Sequence, residues 1–231
     1  MRILVITSCT SEKKHKTLNQ LKYDDFACSE RLRKRTAELS NFKAPAAEMY
    51  AGRQHRPLME GLKRLREIYG PDVVDLYIIS AGYGLLSEED IIVPYNVSFS
   101  ELKKGELLER GNSLKLHQKV TSLISEYDLV FFLLSREYVQ ALQLCFEVPD
   151  TVTQIFLTAP SSKYVFSSFL SDIHVVCTGG DLMGKLDYAT RYNFKGIVFK
   201  RLCEVICRDG LQVFEQIREN PQMLVEIILN Q

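Results

Sequence analysis

The chain reads as an α/β protein, with a short, mostly parallel central sheet of about five strands and helices on both of its faces. Three observations predict it. Short runs rich in Val, Ile, Leu and Phe recur along the 231 residues, and longer stretches with helical apolar spacing separate them. The runs are apolar throughout rather than alternating, which is the pattern of strands buried on both faces of a parallel sheet.

The elements follow in order. Arg2 to Thr7 is the first strand, and Asp24 to Leu39 has the spacing of an amphipathic helix. Pro45 and Pro57 mark helix starts; the second long helix, Gln54 to Tyr69, stops at Gly70-Pro71. Val74 to Ser80 is the second strand. Glu106 to Tyr127 is helical, Leu129 to Leu134 is a strand, and Arg136 to Phe146 is helical again. Thr153 to Leu157 and Ile173 to Cys177 complete the sheet. Lys195 to Arg208 is a long helix ended by Asp209-Gly210, and Pro221 to Asn230 forms a last short helix with Met223, Leu224, Ile227 and Ile228 to bury. No Gly-, Ser- or Pro-rich linker divides the chain, so residues 1–231 are expected to form one domain.

Composition narrows the setting. At 46% hydrophobic and 25% charged residues, the chain has ordinary globular content. The apolar run inside Asp128–Ser135 falls far short of the roughly 20 residues of a membrane span, and Met1 to Thr7 reads as a strand rather than a secretory signal. Six cysteines without CxxC spacing suit reduced thiols, so the expected location is the cytoplasm. Cys203 and Cys207 share a helix face but make only half a zinc site, and no metal or organic cofactor is expected. The net charge is zero, yet residues 1–70 carry 15 Lys and Arg against 8 Asp and Glu. A basic segment on a neutral chain suits a localised phosphate-binding surface.

Each proposed strand is followed by or ends in a hydroxyl: Ser8, Ser80, Ser135, Thr158 and Thr178. Such residues cap the helices that follow strands, and they also stand where ligands of open α/β sheets bind. Phosphate loops of the GxxxxGK[ST] and GxGxxG types are absent, as are HExxH and GxSxG. The informative segment is Ile79 to Asn96, a loop with Gly82, Gly84, Tyr83, Tyr95, the acidic triplet Glu88-Glu89-Asp90 and Pro94. Long structured loops after buried strands tend to carry function.

The order Ser80, Tyr83, Gly84, Leu86, Asp90, Ile92, Pro94, Tyr95 resembles the S-x-x-Y-G-x-L-x-x-x-D-x-I-x-P-Y signature of the YaaA family, bacterial proteins tied to peroxide stress and DNA binding. Thr7 to Lys14 is similar to a P-C-S-x-K-K segment of archaeosine transglycosylases, near their uracil-DNA-glycosylase-like domain. With Ala44 to Gly52, these segments look like a YaaA-like branch of the uracil-DNA-glycosylase-like superfamily, which includes prokaryotic antiviral DNA glycosylases. The resemblance covers residues 1–96. It departs from the glycosylase pattern at Val93, where those enzymes often carry Asp before Pro-Tyr.

The resemblance implies a uracil-DNA-glycosylase-like fold and an enzyme that flips a modified base from DNA and breaks its N-glycosidic bond, with glucosylated hydroxymethylcytosine of phage DNA as one target. In that reading Asp90 steadies the sugar cation and Asn96 reads the base edge, with both counted as catalytic. Ser8, Cys9, Tyr50, Ser80, Tyr83, Tyr95 and Ser135 surround the base, with Tyr83 and Tyr95 stacking on it. Lys13, Lys14, Arg53, Thr178, Gly179 and Gly180 hold phosphates, and Asp181 and Asp187 are the reserve carboxylates. DNA is the expected partner, with no membrane and no obligatory protein partner. Two other readings stay open: a non-catalytic YaaA-like DNA-binding protein of oxidative stress, and a hydrolase or transferase of free nucleosides.

Overall fold

Five apolar runs lie side by side as parallel strands in a computed structural model that describes residues 1–143, 149–158, 173–177, 182 and 184–229. They are β1 (Ile3–Ser8), β3 (Asp75–Ser80), β6 (Leu129–Leu133), β7 (Thr153–Thr158) and β8 (Ile173–Cys177). A two-residue strand, β2 (Ala44–Pro45), pairs with β5 (Ile91–Ile92) outside the main sheet. The α/β class and the five parallel strands are as expected. The main sheet nevertheless has six strands, because β4 (Gly84–Ser87) turns back antiparallel along the outer edge of β3. Gly84, at φ +87°, takes the left-handed turn that starts it.

The sheet order is β4-β3-β1-β6-β7-β8, with Val5 between Leu76 and Phe131 in register. Chain progression therefore reverses between β1 and β6. Right-handed crossovers then put helices on opposite faces on either side of that reversal. On one face α3 (His55–Tyr69) packs against α7 (Phe194–Asp209), followed by α8 (Gln212–Glu219) and α9 (Met223–Leu229). The other group is α4 (Lys104–Ser113), α5 (Leu116–Ile124) and α6 (Arg136–Leu142), packed on one another. Period-two alternation along β6 serves both layers: Phe131 meets Phe199 of α7 at 5.5 Å and Phe214 of α8 at 6.3 Å, while Phe132, on the opposite face, stacks on Phe156 of β7 at 4.1 Å.

Three helices depart from the reading of the sequence, and in the first, Arg136 to Phe146, the helix closes at Leu142 with Gln143 at φ +49°. Glu106 to Tyr127 is not continuous: the chain breaks between α4 and α5 at Lys115, with φ +52°. Inside α4, Gly111 faces the backbone of α6, where an added Cβ would lie 2.3 Å from the Ala141 carbonyl oxygen. Asp24 to Leu39 divides into a 3₁₀ turn, Tyr23–Phe26, and α1 (Ser29–Glu38), which buries none of its residues. Charge docks α1 beside the half-buried Leu32, which packs on the core: Arg31 bonds the buried Asp25 at 2.9 Å and Arg35 approaches it at 3.6 Å. A single-turn helix, α2 (Ala46–Met49), precedes Tyr50. Among the described residues no helix is long and apolar enough to cross a membrane.

Candidate functional site

Where progression reverses between adjacent parallel strands, the two following loops diverge to opposite faces and leave a crevice at the strands' carboxyl ends. Here that point lies between β1 and β6. A cleft of about 360 Å³ opens beside the end of β1, lined by Ser8 as the last residue of β1, by Thr10 and Glu12 after it, by Arg53 and Gln54 ahead of α3, and by Tyr192 ahead of α7. Its walls are held by backbone contacts: Thr10 Oγ1 donates to the Glu12 carbonyl at 3.0 Å and accepts the Gly52 N–H at 3.1 Å. Arg56 pairs with Glu12 at 2.8 Å. The Arg53 guanidinium lies 5.9 Å from the Tyr192 ring centroid, and Arg191 lies 4.6 Å from it.

Behind the cleft, Gln54 ties three elements together. Its Nε2 donates to the Leu133 carbonyl at the end of β6 at 2.9 Å and to Thr7 Oγ1 at 3.2 Å, while its Oε1 accepts from Lys195 Nζ at 3.3 Å. Burial lowers the Lys195 pKa to about 8, against the opposing pull of the Glu137 carboxylate. Glu137 in turn accepts from Ser135 Oγ at 2.8 Å.

Beside this cleft the residues of the YaaA-like pattern assemble as a buried network. Tyr95 Oη lies 2.7 Å from Ser80 Oγ and 2.8 Å from Tyr50 Oη, and Ser80 Oγ accepts the N–H groups of Gly82 and Tyr83 at 3.1 and 3.0 Å. Tyr83 meets Tyr95 edge to face at 5.3 Å, and Phe26 closes on both. Cys9 Sγ pairs with Tyr138 Oη at 2.9 Å. Burial pushes the phenols of Tyr50, Tyr95 and Tyr138 well above their ordinary pKa, so they are neutral hydrogen-bonding groups. Arg110 of α4 clamps the loop from outside, donating to the carbonyls of Ala81 at 2.9 Å and Gly82 at 2.7 Å.

Several expectations change. Ser80, Tyr50 and Tyr95 are buried and offer no free face to a base, Cys9 is buried against Tyr138, and Tyr83 is half-buried with its ring packed on Phe26. Lys13 is not a surface phosphate ligand: its ammonium is buried, donates to the Thr10 carbonyl and lies 4.3 Å from the Tyr95 ring centroid, and burial lowers its pKa. Lys14 is exposed but paired with Glu48 at 2.6 Å. Asp90 is exposed, away from the cleft, because β4 carries the chain back along β3 until Ser87 stands opposite Tyr77; there its Oδ2 accepts the Ser87 N–H at 2.8 Å. Asn96 is exposed, with its backbone paired to Leu21. Asp187 is exposed beside a separate groove with Lys200 and Arg201. Thr178, Gly179, Gly180 and Asp181 lie outside the described residues.

Of the expected set, Ser8 and Arg53 line the cleft, with Ser135 at the end of the neighbouring strand. The residues that the sequence reading passed over are Thr10, Gln54, Tyr192, Lys195 and Glu137. One signal was present: Gly196 in the first turn of a helix marks a close approach, and an added Cβ there would lie 2.1 Å from the Gln54 carbonyl oxygen.

The chain belongs to a family of unknown function, DUF6884, whose sequence model matches residues 26–159. That stretch carries Arg53, Gln54, the tyrosine network and Glu137, while Ser8, Tyr192 and Lys195 lie outside it. No curated protein and no solved structure matches the chain.

Proposed function

We propose that this protein is a glycosylase-like hydrolase that takes a nucleotide of DNA, carrying a modified base, into the cleft beside the end of β1 and breaks its N-glycosidic bond. The observation that carries the reading is the pairing of Arg53 with Tyr192 at the mouth of a cleft of nucleoside scale, at the reversal point of a parallel sheet. In this reading Arg53 holds phosphate, Tyr192 stacks on a base, and the hydroxyls of Ser8 and Thr10 bond the sugar or base edge. The YaaA-like network belongs to the scaffold: it fixes the loops on the β3 side of β1. Protection of the cell against phage DNA with altered bases, in the cytoplasm, is the biological role that the sequence resemblance favours.

A second reading, a DNA-binding protein without catalysis, is favoured by one specific observation: Asp90, the acid of the resembling pattern, stands in an outer turn. The two separate by incubating the protein with duplex and single-stranded DNA, with and without glucosylated hydroxymethylcytosine, and assaying free base and abasic sites. Base release from modified DNA that is lost in Arg53→Glu supports the enzyme. Tight binding with no released base from any substrate supports the binder, and release from free nucleosides alone assigns the cleft to a nucleoside hydrolase.

A further inference from the structure

The segment 14–43 carries more positive charge than its own contacts use. It holds eight Lys and Arg against four Asp and Glu. Lys14 pairs with Glu48, and Arg31 and Arg35 are drawn to Asp25. The other five, Lys16, Lys22, Arg33, Lys34 and Lys43, are exposed, and among the described residues none has a carboxylate within ion-pair distance. Glu38 pairs with Arg35, which leaves Asp24 and Glu30 to offset them. Most helices of globular proteins are held by an apolar face, yet α1 buries no residue and only Leu32 of its apolar side chains packs on the core. The five cations belong to one connected surface. Arg35 Nη2 donates to the Asn19 carbonyl and to Asn19 Oδ1 at 3.0 and 2.9 Å, which ties α1 to the loop between Lys16 and Lys22. His15, beside Lys16, meets Phe42, beside Lys43, edge to face at 5.9 Å. This surface adjoins the cleft: a groove of about 300 Å³ is lined by His15, Lys16, Thr17 and Gln20, and Ser11 and Glu12 line both the groove and the cleft.

We propose that this groove and α1 form the docking surface for the phosphate backbone of duplex DNA flanking the nucleotide held in the cleft. The inference rests on the glycosylase-like reading for the identity of the polyanion. A cleft of this size takes one nucleotide, so the flanking duplex lies on whatever borders the cleft. Contacts to that flank offset the cost of unstacking the extruded base. Lys16 lines the groove that shares a wall with the cleft, and Lys22, Arg33, Lys34 and Lys43 extend the positive surface along α1 and its neighbouring turns. Duplex DNA carries one negative charge per roughly 1.7 Å of its axis, so a row of separated cations matches it better than one cluster does. A cation without an acidic partner breaks no ion pair when it meets phosphate, whereas Lys14 would first have to leave Glu48. Backbone contacts of this kind position the duplex and carry no base information, so the docking is independent of sequence.

The test uses the full chain and an unmodified duplex oligonucleotide, whose binding requires no chemistry. Affinity is read by fluorescence anisotropy over a series of salt concentrations. Two variants, Lys16→Gln/Arg33→Gln/Lys34→Gln and Lys22→Gln/Lys43→Gln, are compared with Arg218→Gln. Arg218 is an exposed cation at the opposite end of the sheet, where its carbonyl accepts from Thr153 Oγ1 at the start of β7 at 3.3 Å. The expected result is a slope of log affinity against log salt that flattens by about 0.9 for each cation removed, with affinity at low salt at least about fivefold weaker in both variants. Arg218→Gln matches wild type. Melting curves on each preparation show that the variants are folded. Wild-type slope and affinity in both folded variants, an equal loss in Arg218→Gln, or no binding of duplex by the wild type overturns the proposal. Base release from scarce modified duplex at the wild-type rate by both variants overturns it too, leaving base excision intact. Duplex binding that depends on the five cations, with no base released from any DNA, upholds the surface and removes the excision reading.

Discussion

Tyr95→Phe is the sharpest test of the assignment of the YaaA-like residues to the scaffold. Ser80 Oγ accepts two amide protons, from Gly82 and Tyr83, which use its lone pairs; its own proton therefore goes to Tyr95, and Tyr95 donates to Tyr50. Deleting the Tyr95 hydroxyl leaves the Ser80 proton without an acceptor and the Tyr50 oxygen without a donor, both in a fully buried site. Each orphaned group costs about 1–3 kcal/mol, so the expected loss is about 3 kcal/mol, and the melting temperature falls by roughly 6–12 °C. The double variant Tyr50→Phe/Tyr95→Phe loses less than the sum of the single losses, by about 1 kcal/mol, because the two hydroxyls share one bond. Urea unfolding measures this as a shift in midpoint at constant slope. DNA binding by the remaining folded protein is unchanged. A Tyr95→Phe protein as stable as wild type but weakened in binding would refute the reasoning and return Tyr95 to the ligand.

Three further outcomes are expected. Gly196→Ala loses about 1–3 kcal/mol despite the better helix propensity of Ala, because its Cβ meets a carbonyl of the α3 entry rather than a movable side chain, whereas Gly105→Ala, with open space around it, is neutral or slightly stabilising; urea midpoints compare the two. Asp90→Ala loses about 1 kcal/mol with its Ser87 bond and leaves DNA affinity and base release unchanged, while Asp90→Asn, which keeps an acceptor oxygen, is near neutral; calorimetry and the base-release assay decide it. For Asp25, burial alone raises the pKa, but the Lys22 N–H bond, Arg31 and Arg35 prevail and hold it below its ordinary value. Its stabilising contribution is therefore present above about pH 4 and is lost as pH falls through the lowered folded pKa. Wild-type stability should drop over that acid range by more than that of Asp25→Asn, as followed by circular dichroism.

The sequence by itself determined the sheet and most of its coverings. Runs such as Leu129–Leu133 are apolar at every position, and only a strand covered on both faces buries them all, so parallel order and crossover helices follow from composition. Gly70-Pro71 and Asp209-Gly210 likewise end α3 and α7 by local backbone chemistry. What only the tertiary structure decided is which polar groups meet and which are buried. Ser8, Ser80 and Ser135 look alike as strand-end hydroxyls, yet Ser8 lines a cleft, Ser80 feeds a sealed network and Ser135 holds Glu137. Lys13 and Lys195 are two lysines of the same composition class, yet Lys13 is buried and Lys195 half-buried, each against a residue distant in the chain, Tyr95 in one case and Gln54 in the other. Local periodicity records which face of an element is apolar. The partner across a sheet or a helix pair is set by strand order and by the separation that Gly196 permits, and those are properties of the assembled layers.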